Sequence, residues 1–334
     1  MMPAPSIAPA DPDLILSGRQ VVRMEAEALA RLADTIDDRF ADAVRVIIAG
    51  ERRVVVTGMG KSGHIARKIA ATFSATGTPA LFLHPAEAAH GDLGMLMPGD
   101  ILLVLSNSGV TPEVRPIMHY ARALGGTVIA IAGRALSPVA KGADIALILP
   151  AAREACPVNL APTTSTTMML ALGDALAVAV MRRRGISREG IHILHPGGTI
   201  GASLTPVDDV MHRGPRLPLV PLAMPMRDVL LVMTEKSLGL AGVIDEDGRL
   251  AGVITDGDLR RHIDTLMHAT AQDVMTRHPR TMPLGTLAGE ARALLGEARI
   301  TALFVVSRED PRRPVGVVHI HDLTRCDLGL VAPR

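Results

Sequence analysis

A glycine-rich loop, Gly58-Met59-Gly60-Lys61-Ser62-Gly63, separates a short β-branched run from a helical stretch. Backbone N–H groups at a helix start can bind phosphate, and Lys61 and Ser62 add a charge and a hydroxyl. The loop matches the dinucleotide pattern G-x-G-x-x-G, but the next strand ends at His84 and not at the acidic residue expected about 20 positions on. Val55 stands at the first glycine position of the P-loop pattern. Phosphate binding is therefore favoured over a nicotinamide cofactor or nucleotide hydrolysis, and a tight turn that needs glycine is the alternative.

A second polar loop, residues 106–113 (SNSGVTPE), follows another apolar run and also precedes a helical pattern. Ligands of open α/β sheets bind at the carboxyl ends of the strands. Short hydroxyl side chains and helix-start amides would form a neutral phosphate cradle there. An ordinary helix cap by Ser108 or Thr111, with Glu113 in the first turn, is the alternative, and both can hold.

Acid–base chemistry is offered by two more residues. Glu154 follows the last predicted strand, so its carboxylate would lie at the ligand edge as a base or would cap the next helix. His195 lies in a Pro- and Gly-containing loop, and an imidazole titrates near neutrality as a proton shuttle requires; a structural histidine is the alternative. His84, Glu87 and His90 form a further polar set that could coordinate a metal.

Alternating strands and helices must position these residues. Apolar runs predict strands at the following ranges: 53–57, 80–83, 101–106, 128–132 and 145–149. Helical patterns lie over 62–76, 112–124 and 165–184, which predicts an α/β fold with a parallel sheet sandwiched by helices. Apolar steps of three and four predict one long helix over 19–48, and the Pro/Ala-rich residues 1–17 are predicted to be disordered.

The C-terminal part of the chain contains an internal repeat. Asp209-Val210-Met211 recurs as Asp273-Val274-Met275, and Asp258-Leu259 recurs at the same spacing as Asp322-Leu323. Two tandem copies of this size indicate a compact pseudo-symmetric α+β module. We therefore expect a first domain over 18–203 and two repeats over 207–267 and 271–330.

Composition narrows the class of protein. A chain of 334 residues fits about two domains, and with no Trp, one Tyr and four Phe it is poorly suited to sites that stack on several rings. A net charge of +1 argues against nucleic-acid binding. Two cysteines make neither a disulfide framework nor a metal pattern. The absence of a signal-peptide pattern and of about 18 consecutive apolar residues predicts a cytoplasmic protein without membrane contact.

Several segments together resemble the bacterial D-arabinose 5-phosphate isomerase family, which joins a sugar isomerase (SIS) domain to two cystathionine-β-synthase-type (CBS) repeats. They are GMGKSGH at 58–64, HPAEAAHGDLGM at 84–95, SNSG at 106–109, EACP at 154–157, LAPTTSTT at 160–167, HPGG at 195–198 and TDGDLRR at 255–261. The resemblance covers residues 18 to 326. Val110 departs from it, because members usually carry a polar residue after SNSG, but Glu113 remains and activity is expected.

The resemblance implies reversible conversion of D-ribulose 5-phosphate into D-arabinose 5-phosphate through an enediolate, without a required cofactor, for Kdo and lipopolysaccharide synthesis. The catalytic residues of the family correspond to Lys61, Glu113, Glu154 and His195 in this sequence. Lys61 would balance phosphate or enediolate charge, and either Glu154 or Glu113 would be the C–H base, unless Glu113 orients Lys61. His195 would reach the site from a neighbouring subunit, which implies a homotetramer with shared sites.

Further contacts are implied in the same way. Substrate contacts fall on Gly60, Ser62, Gly77, Thr78, His84, Glu87, His90, Ser106, Asn107, Ser108 and Thr111. His84 would bind an inhibitory zinc ion, and Thr255 with Asp258 would bind a nucleotide, whereas the second copy has His319 at the Thr position. CBS repeats that only stabilise the oligomer are an equal alternative. A non-catalytic sensor of a sugar phosphate is the alternative function.

Overall fold

The computed structural model describes residues 12–50, 52–195 and 197–327, and the chain divides into two compact units between Leu194 and His195. The first unit is built on a five-stranded parallel sheet of order β2-β1-β3-β4-β5. β1 and β3 are buried along their whole length, as expected of parallel strands covered on both faces. The strands are β1 (Val54–Gly58), β2 (Ala80–Leu83), β3 (Ile101–Ser106), β4 (Thr127–Ala132) and β5 (Ile145–Ile148).

Helices cover both faces of this sheet. One core joins alternate strand residues to Ile69, Phe73 and Met169, and the other joins the remaining strand residues to Ile117 and Met118. The predicted α/β sandwich is therefore confirmed. The helices of this unit are α1 (Pro12–Asp34), α2 (Asp38–Ala49), α3 (Gly60–Ala75), α4 (Pro85–Ala88), α5 (Val114–Ala123), α6 (Pro138–Lys141), α7 (Thr164–Arg184) and α8 (Arg188–Leu194).

The first 50 residues differ from prediction in two ways. The helix predicted over 19–48 is broken between α1 and α2, because the Asp37 side chain accepts a hydrogen bond from Arg39 N (3.0 Å) and starts a new helix. In addition, α1 begins at Pro12, with Asp13 in its first turn, so residues 12–17 are helical and not disordered. Residues 1–11 of the predicted disordered segment lie outside the described residues.

Helices α3 and α7 lie side by side and run in the same direction. Their middles touch where Gly173 packs on Ile69, and beside this contact Lys68 Nζ donates to Asp174 Oδ2 at 2.6 Å. Near their ends, Arg184 Nη1 donates to Thr78 Oγ1 at 3.2 Å. Because these contacts occur in the same order along both helices, α3 and α7 are parallel and also begin at the same edge of the sheet.

The close approach of α3 and α7 makes Gly173 a sensitive position. A Cβ on Gly173 would lie 2.2 Å from Cδ1 and 2.5 Å from Cγ1 of the buried Ile69 side chain. We expect Gly173→Ala to destabilise the chain by about 1–3 kcal/mol and to lower its thermal midpoint. Gly18→Ala, in α1 with nothing within 4 Å, is the matched control and should not lower it. A Gly173→Ala midpoint equal to that of the control would contradict the expectation.

Helix α7 also has the length and hydropathy of a membrane span, which no other described helix shares. Half of its most apolar window is buried within the unit, against α1, α2 and α3. This is the pattern of a core helix.

The second unit contains two small sheets, of order β6-β7-β8-β9 and β10-β11-β12. Its strands are β6 (Leu219–Pro221), β7 (Leu240–Ile244), β8 (Leu250–Thr255), β9 (Thr276–Arg277), β10 (Thr281–Pro283), β11 (Ala302–Val306) and β12 (Pro314–His319). Its helices are α9 (Gly198–Leu204), α10 (Met226–Lys236), α11 (Asp256–Arg261), α12 (Ala271–Val274), α13 (Ala288–Ala298) and α14 (Ile320–Asp327). Each sheet has a strand, a helix and an antiparallel pair in the same order, as the sequence repeat predicts.

The two repeats exchange their first segments. β9 begins the second repeat, yet it pairs with β8 of the first, with Val253 opposite Thr276. His212 begins the first repeat and bridges to Val317 in β12 of the second. Each sheet is therefore completed by the other repeat.

Helix α9 belongs to the second unit, whereas the sequence placed residues up to 203 in the first domain. Ala202 is buried with Val207 and Leu323 in the core of the second repeat, and Cys326 Sγ donates to Ala202 O at 3.7 Å. The predicted boundary was too late because α9 packs on α13 and α14.

Candidate active site

Most of the predicted site residues lie at one edge of the first unit's sheet. The strands are parallel, so the segments that follow β1, β2, β3 and β5 all leave at their carboxyl ends. This edge gathers the glycine-rich loop, His84, the 106–113 loop and Glu154. Gly77 and Thr78 precede β2 and lie at the opposite edge. A single chain therefore does not bring these two residues to the predicted site.

The glycine-rich loop leaves the start of α3 open to an anion. Gly60 has φ +59°, a backbone conformation that favours glycine. A Cβ on Gly63 would lie 2.5 Å from Gly58 O. The loop is therefore also a tight turn that needs glycine. The N-cap residue Met59 makes no side-chain hydrogen bond to the helix. The first amides of α3 thus have no capping side chain, with exposed Lys61 and half-buried Ser62 beside them.

The 106–113 loop is held by its own hydroxyls. The buried Ser106 Oγ accepts from Gly109 N (3.1 Å) and lies 2.8 Å from Thr111 Oγ1. Neither Ser108 nor Thr111 caps α5, so the predicted helix cap by one of these residues is wrong. The N-cap residue is Glu113, whose exposed side chain makes no capping bond. Ser106 and Thr111 therefore shape the loop, while Asn107 and Ser108 are exposed at its surface.

His84 follows β2 and caps the short helix α4. Its Nδ1 accepts from Ala86 N at 3.2 Å, which leaves Nε2 for a ligand or substrate. Glu87 and His90 are exposed. Within residues 12–50, 52–195 and 197–327, no three His, Cys, Asp or Glu side chains are placed to hold a metal ion. Zinc binding thus stays a prediction, and His84 is the one residue of this chain that is predicted to bind the ion.

Glu154 caps α7. Its Oε2 accepts from Thr163 N (2.8 Å), from Thr163 Oγ1 (3.2 Å) and from Ser165 N (3.2 Å), while its own N–H donates to Asn159 Oδ1 (2.7 Å). The capping interpretation is therefore correct, and it is compatible with the catalytic one, because α7 begins at the same edge of the sheet as its neighbour α3 and the glycine-rich loop. The helical pattern over 165–184 predicted the helix that Glu154 caps, but nothing in the sequence pointed to Thr163 and Asn159 as partners of Glu154.

The environment of Glu154 favours its charged form. Burial of this half-buried side chain raises its pKa, but the donors of Ser165 and Thr163 outweigh that effect and hold the pKa below its ordinary value. The start of the 21-residue helix α7 acts in the same direction. Glu154 is thus an ionised carboxylate at neutral pH, as a proton acceptor must be.

His195 is the first residue of the second unit, between α8 and α9. Its predicted role as a proton shuttle stays a prediction. The free cysteines Cys156 and Cys326 form no disulfide.

The second unit has a cleft of about 690 Å³ between its repeats. The buried Asp258 lies there and accepts from Thr255 N (2.8 Å), Thr255 Oγ1 (2.6 Å), Thr276 Oγ1 (2.9 Å) and the Arg261 guanidinium. Thr276 comes from the exchanged strand β9, so both repeats form this site. The wall carries four arginines, Arg260, Arg261, Arg280 and Arg299, against two carboxylates, Asp256 and Asp258, and Arg261 is paired with Asp258.

The corresponding residues of the second repeat form a different arrangement. Asp322 Oδ2 accepts from His319 N (3.1 Å) and lies 3.0 Å from His212 Nε2. Burial, together with the charges of His321 and His212, lowers the pKa of His319 despite Asp322. Histidines thus stand where the first repeat has Thr255 and Thr276, which agrees with the prediction of at most one complete Thr–Asp site.

Comparison with known proteins agrees with this architecture. The SIS domain family model matches residues 47–179, and the CBS domain model matches residues 207–265 and 271–329. A parallel sheet with glycine- and hydroxyl-rich loops at one edge, followed by two strand-exchanged repeats, is thus a SIS domain joined to a CBS pair.

Two relatives identify the family. The Arabinose 5-phosphate isomerase KdsD of Pseudomonas aeruginosa is 46% identical over 317 residues, 94% of this chain and 97% of the relative. The protein of the same name from Escherichia coli K12 is 43% identical over 94% of this chain and 96% of its own. The chain belongs to the arabinose 5-phosphate isomerase family. A solved Escherichia coli CFT073 protein in complex with A5P aligns with a TM-score of 0.54 and 36% identity, covering 56% of this chain and all of that one.

Proposed function

We propose that this protein catalyses the reversible isomerisation of D-ribulose 5-phosphate and D-arabinose 5-phosphate. The observation that carries the proposal is that an uncapped helix start at α3 and the ionised Glu154 at the start of the neighbouring helix α7 lie at the same edge of the sheet. The first suits a sugar phosphate, and the second suits proton abstraction next to a carbonyl. The relatives support the same reaction over nearly the whole chain.

The reaction moves one hydrogen between two carbons with no net change in electrons. Glu154 takes a proton from C1 of the ketose; the C–H electrons form the C1–C2 double bond, and the C2 carbonyl electrons move to O2. The enediolate then receives that proton back from Glu154 at C2, while O2 takes up a proton to become the C2 hydroxyl and the O1 hydroxyl gives up its proton as C1 becomes an aldehyde. Lys61 offsets the negative charge on oxygen. Glu113 and His195 are proposed to carry the hydroxyl protons.

The proposed substrate contacts form two groups, one for the phosphate and one for the sugar hydroxyls. The amides at Gly60 and Ser62 hold the phosphate together with the 106–113 loop, where Asn107 and Ser108 face solvent. His84, through its Nε2, and the exposed Glu87 and His90 contact the sugar hydroxyls. A zinc ion bound at His84 would compete with these contacts and inhibit.

The decisive test is turnover. D-ribulose 5-phosphate is incubated with the chelator-treated protein, and arabinose 5-phosphate is measured by NMR. We expect equilibration of the two sugars. Binding of the sugar phosphate to folded protein without any turnover would instead support the sensor, which the family relationship does not favour.

The proposal includes the pathway, the cellular location and the oligomeric state of the enzyme. Arabinose 5-phosphate would feed Kdo and lipopolysaccharide synthesis, which the KdsD name of the relatives supports. We place the enzyme in the cytoplasm, as a homotetramer in which His195 enters a neighbouring subunit's site.

We also propose that the CBS cleft binds an adenine nucleotide, since Thr255 and Asp258 suit ribose hydroxyls and the arginines suit phosphate. Arg280→Ala should weaken AMP binding roughly 10- to 100-fold, as loss of a charged hydrogen bond implies. Arg277→Ala, in β9 but outside the cleft wall, is the matched control for calorimetric titration. Absence of AMP, ADP and ATP binding to the wild type would contradict the nucleotide proposal and leave a structural role.

A further inference from the structure

The Thr163 hydroxyl connects the backbone to Glu154. Its Oγ1 accepts from Ala155 N (2.9 Å) and donates to Glu154 Oε2 (3.2 Å). Thr163 is the N-cap residue of α7, yet its side chain makes no capping bond to that helix. The Glu154 carboxylate occupies the place that an N-cap side chain usually takes.

We propose that Thr163 is a positioning residue for Glu154: it fixes Oε2 so that Oε1 is the oxygen that receives the substrate proton. The inference rests on the proposed role of Glu154 as the C–H base. Three hydrogen bonds to the carboxylate among the described residues end on Oε2, and the buried Ser165 hydroxyl is a further neighbour that favours the charged form. A carboxylate held by one oxygen keeps its other oxygen available in a single orientation, which is the geometry that proton transfer requires.

Thr163 is the donor whose removal changes the carboxylate without removing the helix start. The backbone N–H groups of Thr163 and Ser165 remain after any side-chain substitution. Thr163→Val keeps the shape and β-branching of the side chain but loses the donor to Glu154 and the acceptor for Ala155 N. Because fewer donors then stabilise the charge, the carboxylate should bind protons more readily and turn more freely.

The chain offers a matched control in the same helical turn. Thr166 Oγ1 donates to Thr163 O at 2.8 Å and makes no bond to Glu154 among the described hydrogen bonds. Thr166→Val therefore removes a hydroxyl of the same type, at the same helix start, without touching the carboxylate. Thr163→Ser restores the hydroxyl and serves as the rescue variant.

The test is the pH dependence of kcat for wild type, Thr163→Val, Thr163→Ser and Thr166→Val. We expect Thr163→Val to lower kcat about 10-fold, in line with one charged hydrogen bond, with KM changed less than twofold. Its acidic limb should move to higher pH, because the folded-state pKa of Glu154 rises toward its ordinary value. Thr163→Ser and Thr166→Val should keep the wild-type limb. An unmoved acidic limb in Thr163→Val would overturn the proposal.

Two further measurements distinguish a failure of Glu154 as the base from a failure of Thr163 as its positioning residue. Glu154→Gln with wild-type kcat would refute the proposed base itself, whereas an inactive Glu154→Gln beside an unchanged Thr163→Val would refute only the positioning role. If Thr163→Val does not fold, Thr163→Ala replaces it. The titration of Glu154, assigned by ¹³C NMR of labelled carboxyls against Glu154→Gln, reports ionisation without turnover. The same titration midpoint in wild type and variant would also overturn the proposal.

Discussion

Glu154→Gln lowers kcat by roughly 10²- to 10⁴-fold, the contribution of a positioned general base. The amide keeps the size of the carboxylate, and its oxygen can still accept from Thr163 N and Ser165 N, so α7 should remain capped. The proton acceptor is lost, while the phosphate loop at α3 is untouched. KM should therefore change much less than kcat, as measured by NMR over a range of substrate concentrations.

The control for this variant is Glu235→Gln, an exposed carboxylate in α10 of the other unit, which should leave kcat unchanged. Mixed oligomers extend the test. Inactive Glu154→Gln and His195→Ala proteins should regain some activity after subunit exchange if His195 serves a neighbour's site. Wild-type kcat in Glu154→Gln would transfer the role of base to Glu113.

Lys61→Met raises KM roughly 10- to 100-fold, because a charged hydrogen bond to phosphate contributes about 1.5–3 kcal/mol. Lys61 is exposed in the first turn of α3, and no ion pair neutralises it among the described residues. Methionine keeps the length and most of the apolar stem of lysine. If the charge also stabilises the enediolate, kcat falls as well. Steady-state kinetics separate the two effects, because loss of phosphate binding raises KM whereas loss of enediolate stabilisation lowers kcat.

Lys68→Met is the matched control, two turns further along α3. Lys68 pairs with Asp174 on a solvent-exposed face, and such pairs contribute little to stability. Its KM should equal that of the wild type. A Lys61→Met enzyme with unchanged KM and kcat would show that the backbone amides and Ser62 hold the phosphate without the lysine.

The sequence predicted which segments meet at one edge of the sheet because its signals are local. A β-branched run followed by glycines and a helix, as at residues 54–63, specifies a strand, turn and helix start within one short segment. Parallel strands then bring such segments to one edge whatever the remaining contacts are. The same reasoning placed Glu154 correctly as the residue after the last strand.

Other features depend on contacts that no short segment contains. The bond between Thr163 and Glu154 requires a loop to fold back over nine residues. Gly77 and Thr78 were assigned to the site by the resemblance alone, although they precede the predicted strand 80–83 and so belong to the opposite edge of a parallel sheet. The break at Asp37 was missed because apolar spacing continues through it, although an acidic N-cap was present in the sequence.

The exchanged segments of the CBS repeats make their pairing independent of protein concentration. A single repeat, folded alone, would leave the flank of its last antiparallel strand without the pairing that β9 gives β8 and that His212 gives β12. Such a flank is an unpaired backbone edge that attracts another chain. Two separate repeats would pair these edges only in proportion to their concentration, whereas on one polypeptide each repeat always has its partner at hand.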